Sequence, residues 1–278
     1  MKILYISDLD GTLLDSGAKL PRDSCAELNV LISQGLNFTY ATARSWTSAS
    51  KIMRSCNLAL PAITYNGAFI VKPDSGDIIR AFTLDDEKFA FILSAIEKFN
   101  LSPLVYSFID GAQRVMWVKG RETDGIRNCL NARPGDKRFM GVDSLQDLNN
   151  GQIYYVTIIG TQSELAPLAA IIEDEKVYSS VFSKDIYTGE YWLEICDERA
   201  SKATGVEWLR KNYGFDRIVC FGDNLNDIPM FKAADEAYAV ENAASELKLI
   251  ADDVIGSNEE NAVVEFIKNH TKGEKWTV

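Results

Sequence analysis

The chain carries one histidine in 278 residues, His270, close to its C-terminus. That scarcity excludes Ser-His and Cys-His nucleophilic chemistry and multi-histidine zinc sites. His270 itself reads as a solvated tail residue. Cysteine is sparse and odd in number: Cys25, Cys56, Cys129, Cys196 and Cys220, with no Cys-x-x-Cys pair. These read as reduced structural thiols. No apolar run approaches the ~20 residues needed to cross a bilayer. The opening Met1-Lys2-Ile3-Leu4-Tyr5-Ile6-Ser7-Asp8 meets an acid too early for a secretory signal. Internal repeats and low-complexity linkers are missing too. A formal net charge of -11 disfavours a nucleic-acid backbone or an anionic membrane face as partner. The expectation is a cytoplasmic protein, monomer or weak dimer. Its chemistry must come from carboxylates, Lys, Arg, Ser, Thr and Asn.

What is present is 46% apolar content, enough to bury a sizeable core and to form two domains. The first stretch alternates strand and helix patterns. Ile3–Ile6 is a short apolar run. A helical pattern opens at Pro21, with Ala26, Val30 and Leu31 on one face, and ends near Gly35. Leu36–Ala41 reads as a strand, Ser45–Cys56 as a helix and Ala62–Tyr65 as a strand. The end of the chain repeats this grammar. Ser201 caps a helix that Gly214 ends. Strand patterns follow at Arg217–Phe221 and Glu236–Val240, with a helix at Leu225–Ala233 between them. Strands alternating with helices imply parallel β-α-β units. The middle instead places strands at Pro103–Ser107 and Arg114–Lys119 with no helix between them, which suggests an antiparallel module. The expected fold is α/β: a doubly wound, Rossmann-like parallel sheet at residues 1–82 and 184–278, with an inserted α+β cap domain at 83–183.

In a doubly wound sheet, ligands bind beyond the carboxyl ends of the strands. Three separated segments deliver polar groups there. Asp8 and Asp10 follow the first strand; Thr42 and Arg44 follow the second. Asp223, Asn224, Asn226 and Asp227 follow the strand Ile218–Phe221. Lys202 opens the helix that precedes that strand. Each piece alone has a bland reading, as a cap, a turn or a solvated lysine. Their joint placement favours chemistry. Asp8 and Asp10 repel each other unless a cation sits nearby. With Asp223 they make an oxygen-rich site suited to Mg²⁺. Asp8 can then attack phosphorus, Asp10 can serve as general acid and then base, and Lys202 can neutralise the transferring phosphoryl group. The Thr42 hydroxyl and nearby backbone amides can hold phosphate oxygens. Gly11 permits a tight turn.

At these residues the chain resembles the haloacid dehalogenase-like superfamily, specifically the Cof-type phosphatases. Asp8-Leu9-Asp10-Gly11-Thr12-Leu13-Leu14 is similar to the family's opening DxDGTLL signature. Ala41-Thr42-Ala43-Arg44 is similar to its ATGR segment, with Ala43 in place of glycine. Lys202 matches the lysine of the third signature, here followed by Ala203 rather than glycine. Gly222-Asp223-Asn224-Leu225-Asn226-Asp227 matches GDxxND. Tyr65-Asn66-Gly67-Ala68 is similar to the NGA segment. The resemblance implies Asp8 as nucleophile and Asp10 as acid/base. It implies a metal set drawn from Asp8, Asp10, Asp223, Asn226 and Asp227. Phosphate or substrate contacts would come from Thr42, Ala43, Arg44, Asn66, Gly67, Lys202 and Asn226. Cap-edge residues such as Tyr187 and Glu190 would add to them. The cap of this branch covers the site and selects the substrate, a small phosphorylated metabolite such as a sugar phosphate. Two other readings share the residues: a phosphomannomutase-like phosphotransferase, and a phosphoacceptor module without turnover.

Overall fold

The computed structural model describes residues 1–21 and 23–271. The chain forms two compact units, Met1–Arg80 with Ala200–Val278, and Ala81–Arg199. The first unit starts with β1 (Ile3–Ser7), buried at every position. A tight turn, Leu9–Leu13, follows. Next come α1 (Ser24–Ser33), β2 (Asn37–Tyr40) and α2 (Trp46–Met53). Three short strands, β3 (Ala62–Thr64), β4 (Phe69–Val71) and β5 (Ile78–Ala81), form a small sheet of their own. The helix α1 turns a different face inward than its spacing implied. Ser24 and Leu28 are buried, while Ala26 and Val30 face solvent.

The second unit contains α3 (Asp86–Lys98), β6 (Pro103–Ile109), β7 (Ala112–Val118), α4 (Asp124–Asn131), β8 (Phe139–Val142), β9 (Gln152–Gly160), α5 (Gln162–Glu175), β10 (Tyr178–Lys184) and β11 (Tyr191–Asp197). Its strands make one sheet in the order β10-β11-β9-β6-β7-β8. Phe89, Ile92 and Ile96 of α3 and Leu165, Leu168 and Ile172 of α5 pack on Val105, Met116, Val156, Ile158, Leu193 and Ile195. A smaller cluster joins Ile126 and Cys129 of α4 to Leu104, Val115 and Ile159. The alternation of Val156 and Ile158 with Ile159 sends neighbouring residues to opposite faces, as strand geometry requires.

Two expectations need correction. The inserted unit does not stop at 183 but runs to Arg199, because β11 pairs antiparallel with both β10 and β9. Its backbone hydrogen bonds therefore belong to this sheet. Nor is the sheet purely antiparallel: β7 and β8 are parallel, with α4 as their crossover.

The chain then returns to the first unit with α6 (Lys202–Tyr213), β12 (Arg217–Gly222), α7 (Ile228–Ala233), β13 (Glu236–Ala239), α8 (Ser245–Lys248), β14 (Asp253–Val254) and α9 (Ala262–His270). Gly214 ends α6 at φ 66°. The main sheet has the order β14-β13-β12-β1-β2 and is parallel throughout. Successive strands run outward in one direction from β1 and in the other from β12. The point where the direction reverses therefore lies between β1 and β12, where a doubly wound sheet opens a crevice. His270 is not a solvated residue. Its Nδ1 lies 2.9 Å from the Tyr5 hydroxyl, and its ring stacks on Phe266.

Candidate active site

Asp8 and Asp223 emerge from the two strands that flank this crevice. The β1–β12 register pairs Ser7 with Phe221, and the Asp8 amide donates to the Phe221 carbonyl at 2.9 Å. The turn after Asp8 is closed by Leu14 N–H donating to Leu9 O at 2.8 Å. Leu9, Leu13 and Leu14 anchor it in the core. Gly11, at φ 76°, faces the Asp223 carboxylate, which would collide with any Cβ there.

Lys202 is the first residue of α6, whose N-cap Ser201 accepts from the Thr204 amide at 3.0 Å. This places a lysine stem inside the protein. Its Nζ donates to Asp8 Oδ1 and to Asp227 Oδ1, both at 2.6 Å, and the side chain is 0% exposed. The other Asp227 oxygen accepts from the Asp223 and Asn224 amides at 3.0 and 3.1 Å. The Thr12 hydroxyl donates to Asp223 Oδ1 at 2.9 Å.

Burial pushes the Asp8 carboxyl up to about 7, against the pull of Lys202. Burial, then Asp8 and Asp227, carry Asp223 well above the usual carboxylate range. Burial alone would lower Lys202, but Asp227 and Asp8 hold it above its ordinary value. Three buried carboxylates therefore face a single buried ammonium. If all are ionised, two negative charges stay uncompensated, and a divalent cation cancels both. Asp8, Asp223 and Asp227 each offer an oxygen within 4.8 Å of the others. This all-oxygen donor set fits a hard divalent ion.

The other expected site residues distribute unevenly. Asp10 stands outside that carboxylate cluster. Arg44 grips it in a bidentate pair, Nε to Oδ2 at 2.6 Å and Nη2 to Oδ1 at 2.5 Å. Arg44 also reaches Ser48 Oγ at 3.3 Å. Thr42 is buried, and its hydroxyl accepts from the Arg44 amide at 3.1 Å. Ala43 lies half-buried between them. Asn226 Nδ2 donates to Asn66 Oδ1 at 3.1 Å. Gly67 packs against Ser201. Tyr187 and Glu190 sit in the turn joining β10 to β11 in the inserted unit, where Asp185 Oδ1 accepts from the Tyr187 and Thr188 amides.

Sequence reasoning passed over Thr12, Asn242 and Arg44's true partner. Asn242 Nδ2 donates to the Gly11 carbonyl at 2.7 Å, bracing the turn from 231 residues away. Thr12 could have been found, since it lies inside the opening signature. Nothing local marks Asn242.

A model of the haloacid dehalogenase-like hydrolase family matches residues 5–267, and the chain belongs to that family. It is a phosphoric monoester hydrolase. It is 26% identical, over 96% of this chain and 97% of the relative, to the 5-amino-6-(5-phospho-D-ribitylamino)uracil phosphatase YitU of Bacillus subtilis. It is 24% identical, over 95% and 96%, to the pyridoxal phosphate phosphatase YbhA of Escherichia coli. Its fold matches that of the subclass IIB sugar phosphatase BT4131, with a TM-score of 0.76 at 18% identity, covering 97% of this chain and 99% of that one.

Proposed function

We propose that this chain is a Mg²⁺-dependent phosphatase that hydrolyses small phosphate monoesters, sugar phosphates foremost, through a phosphorylated Asp8. The carrying observation is the buried Asp8–Lys202–Asp227 chain beside Asp223 at the sheet's switch point. Asp8, Asp223 and Asp227 would hold the ion. Bound there, Mg²⁺ would cancel carboxylate charge and polarise a phosphoryl oxygen.

Lys202 fixes Asp8 Oδ1, which leaves Oδ2 as the attacking atom. As the Asp8–phosphorus bond forms, the bond to the leaving oxygen breaks. Asp10 gives that oxygen its proton. In the second step Asp10 takes a proton from water, whose oxygen attacks phosphorus and releases Asp8 and inorganic phosphate. To act as the acid Asp10 must enter the first step protonated and free of the bidentate pair. The pair with Arg44 holds the carboxylate left after proton transfer and orients it as the base of the second step. Thr42, Ala43 and Asn226 border the phosphoryl position. A cytoplasmic monomer or weak dimer completes the proposal, and size-exclusion chromatography tests its last part.

The direct test is phosphate release from a panel of sugar phosphates. Pyridoxal phosphate and 5-amino-6-(5-phosphoribitylamino)uracil join the panel, because two relatives carry those names. Turnover should require Mg²⁺ and vanish in Asp8→Asn. No phosphate release from the whole panel, or equal release by the variant, defeats the proposal.

A further inference from the structure

A three-residue turn in the first unit touches three of the loops that carry the site. The Tyr65 amide donates to the Arg44 carbonyl at 3.1 Å, and the Asn66 amide donates to the Thr42 carbonyl at 3.0 Å. Asn66 Oδ1 accepts from Asn226 at 3.1 Å. Gly67 lies against the Ser201 backbone, where an added Cβ would come within 2.6 Å of the nitrogen and closer still to the carbonyl group. Tyr65, Asn66 and Gly67 all have positive φ, at 51°, 52° and 101°. Two consecutive non-glycine residues in that region persist only where their surroundings over-determine them.

Ser201 is the N-cap of α6, and Lys202 is the next residue. The contact at Gly67 therefore sets where the lysine stem enters the protein. We propose that Gly67 is a positioning residue for Lys202. Its missing Cβ lets the α6 N-terminus sit close enough for one Nζ to reach Asp8 and Asp227 together. This departs from the phosphate-contact role that the sequence implied for Gly67. It rests on the phosphatase reading only in its kinetic arm. A methyl group there must push the residue 201 backbone outward by on the order of 1 Å, and misplacement of that size costs about 100-fold in rate.

The test compares Gly67→Ala with Gly214→Ala. Gly214 is at φ 66° at the other end of the same helix, and an added Cβ there meets nothing within 4 Å. Both variants carry a left-handed alanine, but only the first disturbs Ser201. Gly67→Ala should lose about 100-fold in kcat with KM within about threefold, while Gly214→Ala keeps kcat within about twofold. Acetic anhydride labelling of the native proteins, read by peptide mass spectrometry, gives a measurement independent of turnover. Lys202 should stay unlabelled in the wild type and Gly214→Ala, and become labelled in Gly67→Ala. Preserved kcat with a protected Lys202 overturns the proposal. So does a lost kcat with a protected Lys202, since Gly67 would then act on the substrate. If even the wild type turns over nothing, the phosphatase reading fails and the labelling still decides Gly67. Should Gly67→Ala not fold, Gly67→Ala combined with Ser201→Gly is compared with Ser201→Gly alone, because Ser201 is itself the α6 N-cap. Lys202 labelled and kcat lost only in the double variant supports the proposal, and equal labelling and kcat in the two overturns it.

Discussion

The two units bury charge in different ways. In the first, Asp8, Lys202, Asp223 and Asp227 are buried together at the carboxyl edge of a parallel sheet. Their hydrogen bonds span up to 211 residues of sequence. In the inserted unit the core clusters are apolar, and Asp197 is the buried carboxylate among its described residues, answered at its rim by Lys88 and Arg199. Buried charge is costly unless paired and hydrogen-bonded, so its concentration in one unit marks where chemistry is placed.

That contrast can be broken at four points, from the largest effect to the smallest. Asp8→Asn should abolish turnover, by about 10⁴-fold or more, without unfolding the protein. Phosphate release and a thermal melt check both halves. Lys202→Met should destabilise by about 3–5 kcal/mol, because Asp8 and Asp227 lose their shared buried counter-charge. Urea denaturation measures it, and a cost below about 1 kcal/mol would show that the cluster does not bury net charge.

Mg²⁺ in hundredfold excess over its Kd should raise stability by about 2.7 kcal/mol, and chelator should reverse this. Asp223→Asn should lose most of the shift, whereas changes in the inserted unit should leave it intact. Differential scanning fluorimetry separates these outcomes.

Lys88→Met should cost about 1 kcal/mol at pH 7. Its pH dependence follows from Asp197. Burial opposes ionisation of that carboxyl, but hydrogen bonds from Arg199 and Lys88 outweigh it and hold the group below its usual value. A depressed folded value gives stability that is present above the unfolded pKa of about 3.9 and lost as pH falls through the folded one. The difference between wild type and variant should therefore shrink below pH 4. Paired urea melts at pH 7 and pH 3 check it.

Much of the fold was legible because local signals agreed with tertiary need. Ser45, Asp85 and Ser201 cap helices, each accepting from an amide three residues on. The strands at Ile3, Leu36 and Arg217 were readable as short apolar runs. The inward face of α1 was not legible, since Val30 and Leu28 are equally apolar and only packing chooses between them. Nor was the end of the inserted unit, because a strand's sequence does not name its partner. The thiols read as reduced are free, yet Cys25 and Cys56, 31 residues apart, bring their sulfurs to 2.7 Å. No spacing rule anticipates that.

The order of chemical groups along the chain was thus set by sequence alone. The acids follow apolar strands, a lysine follows a helix cap, and glycines mark tight turns, because backbone periodicity and capping act over a few residues. Tertiary structure alone decided which groups meet. It gave Arg44 to Asp10, Lys202 to both Asp8 and Asp227, and Asn226 to Asn66. Such pairings depend on strand register and close backbone approach between segments far apart in sequence, and no local propensity encodes either.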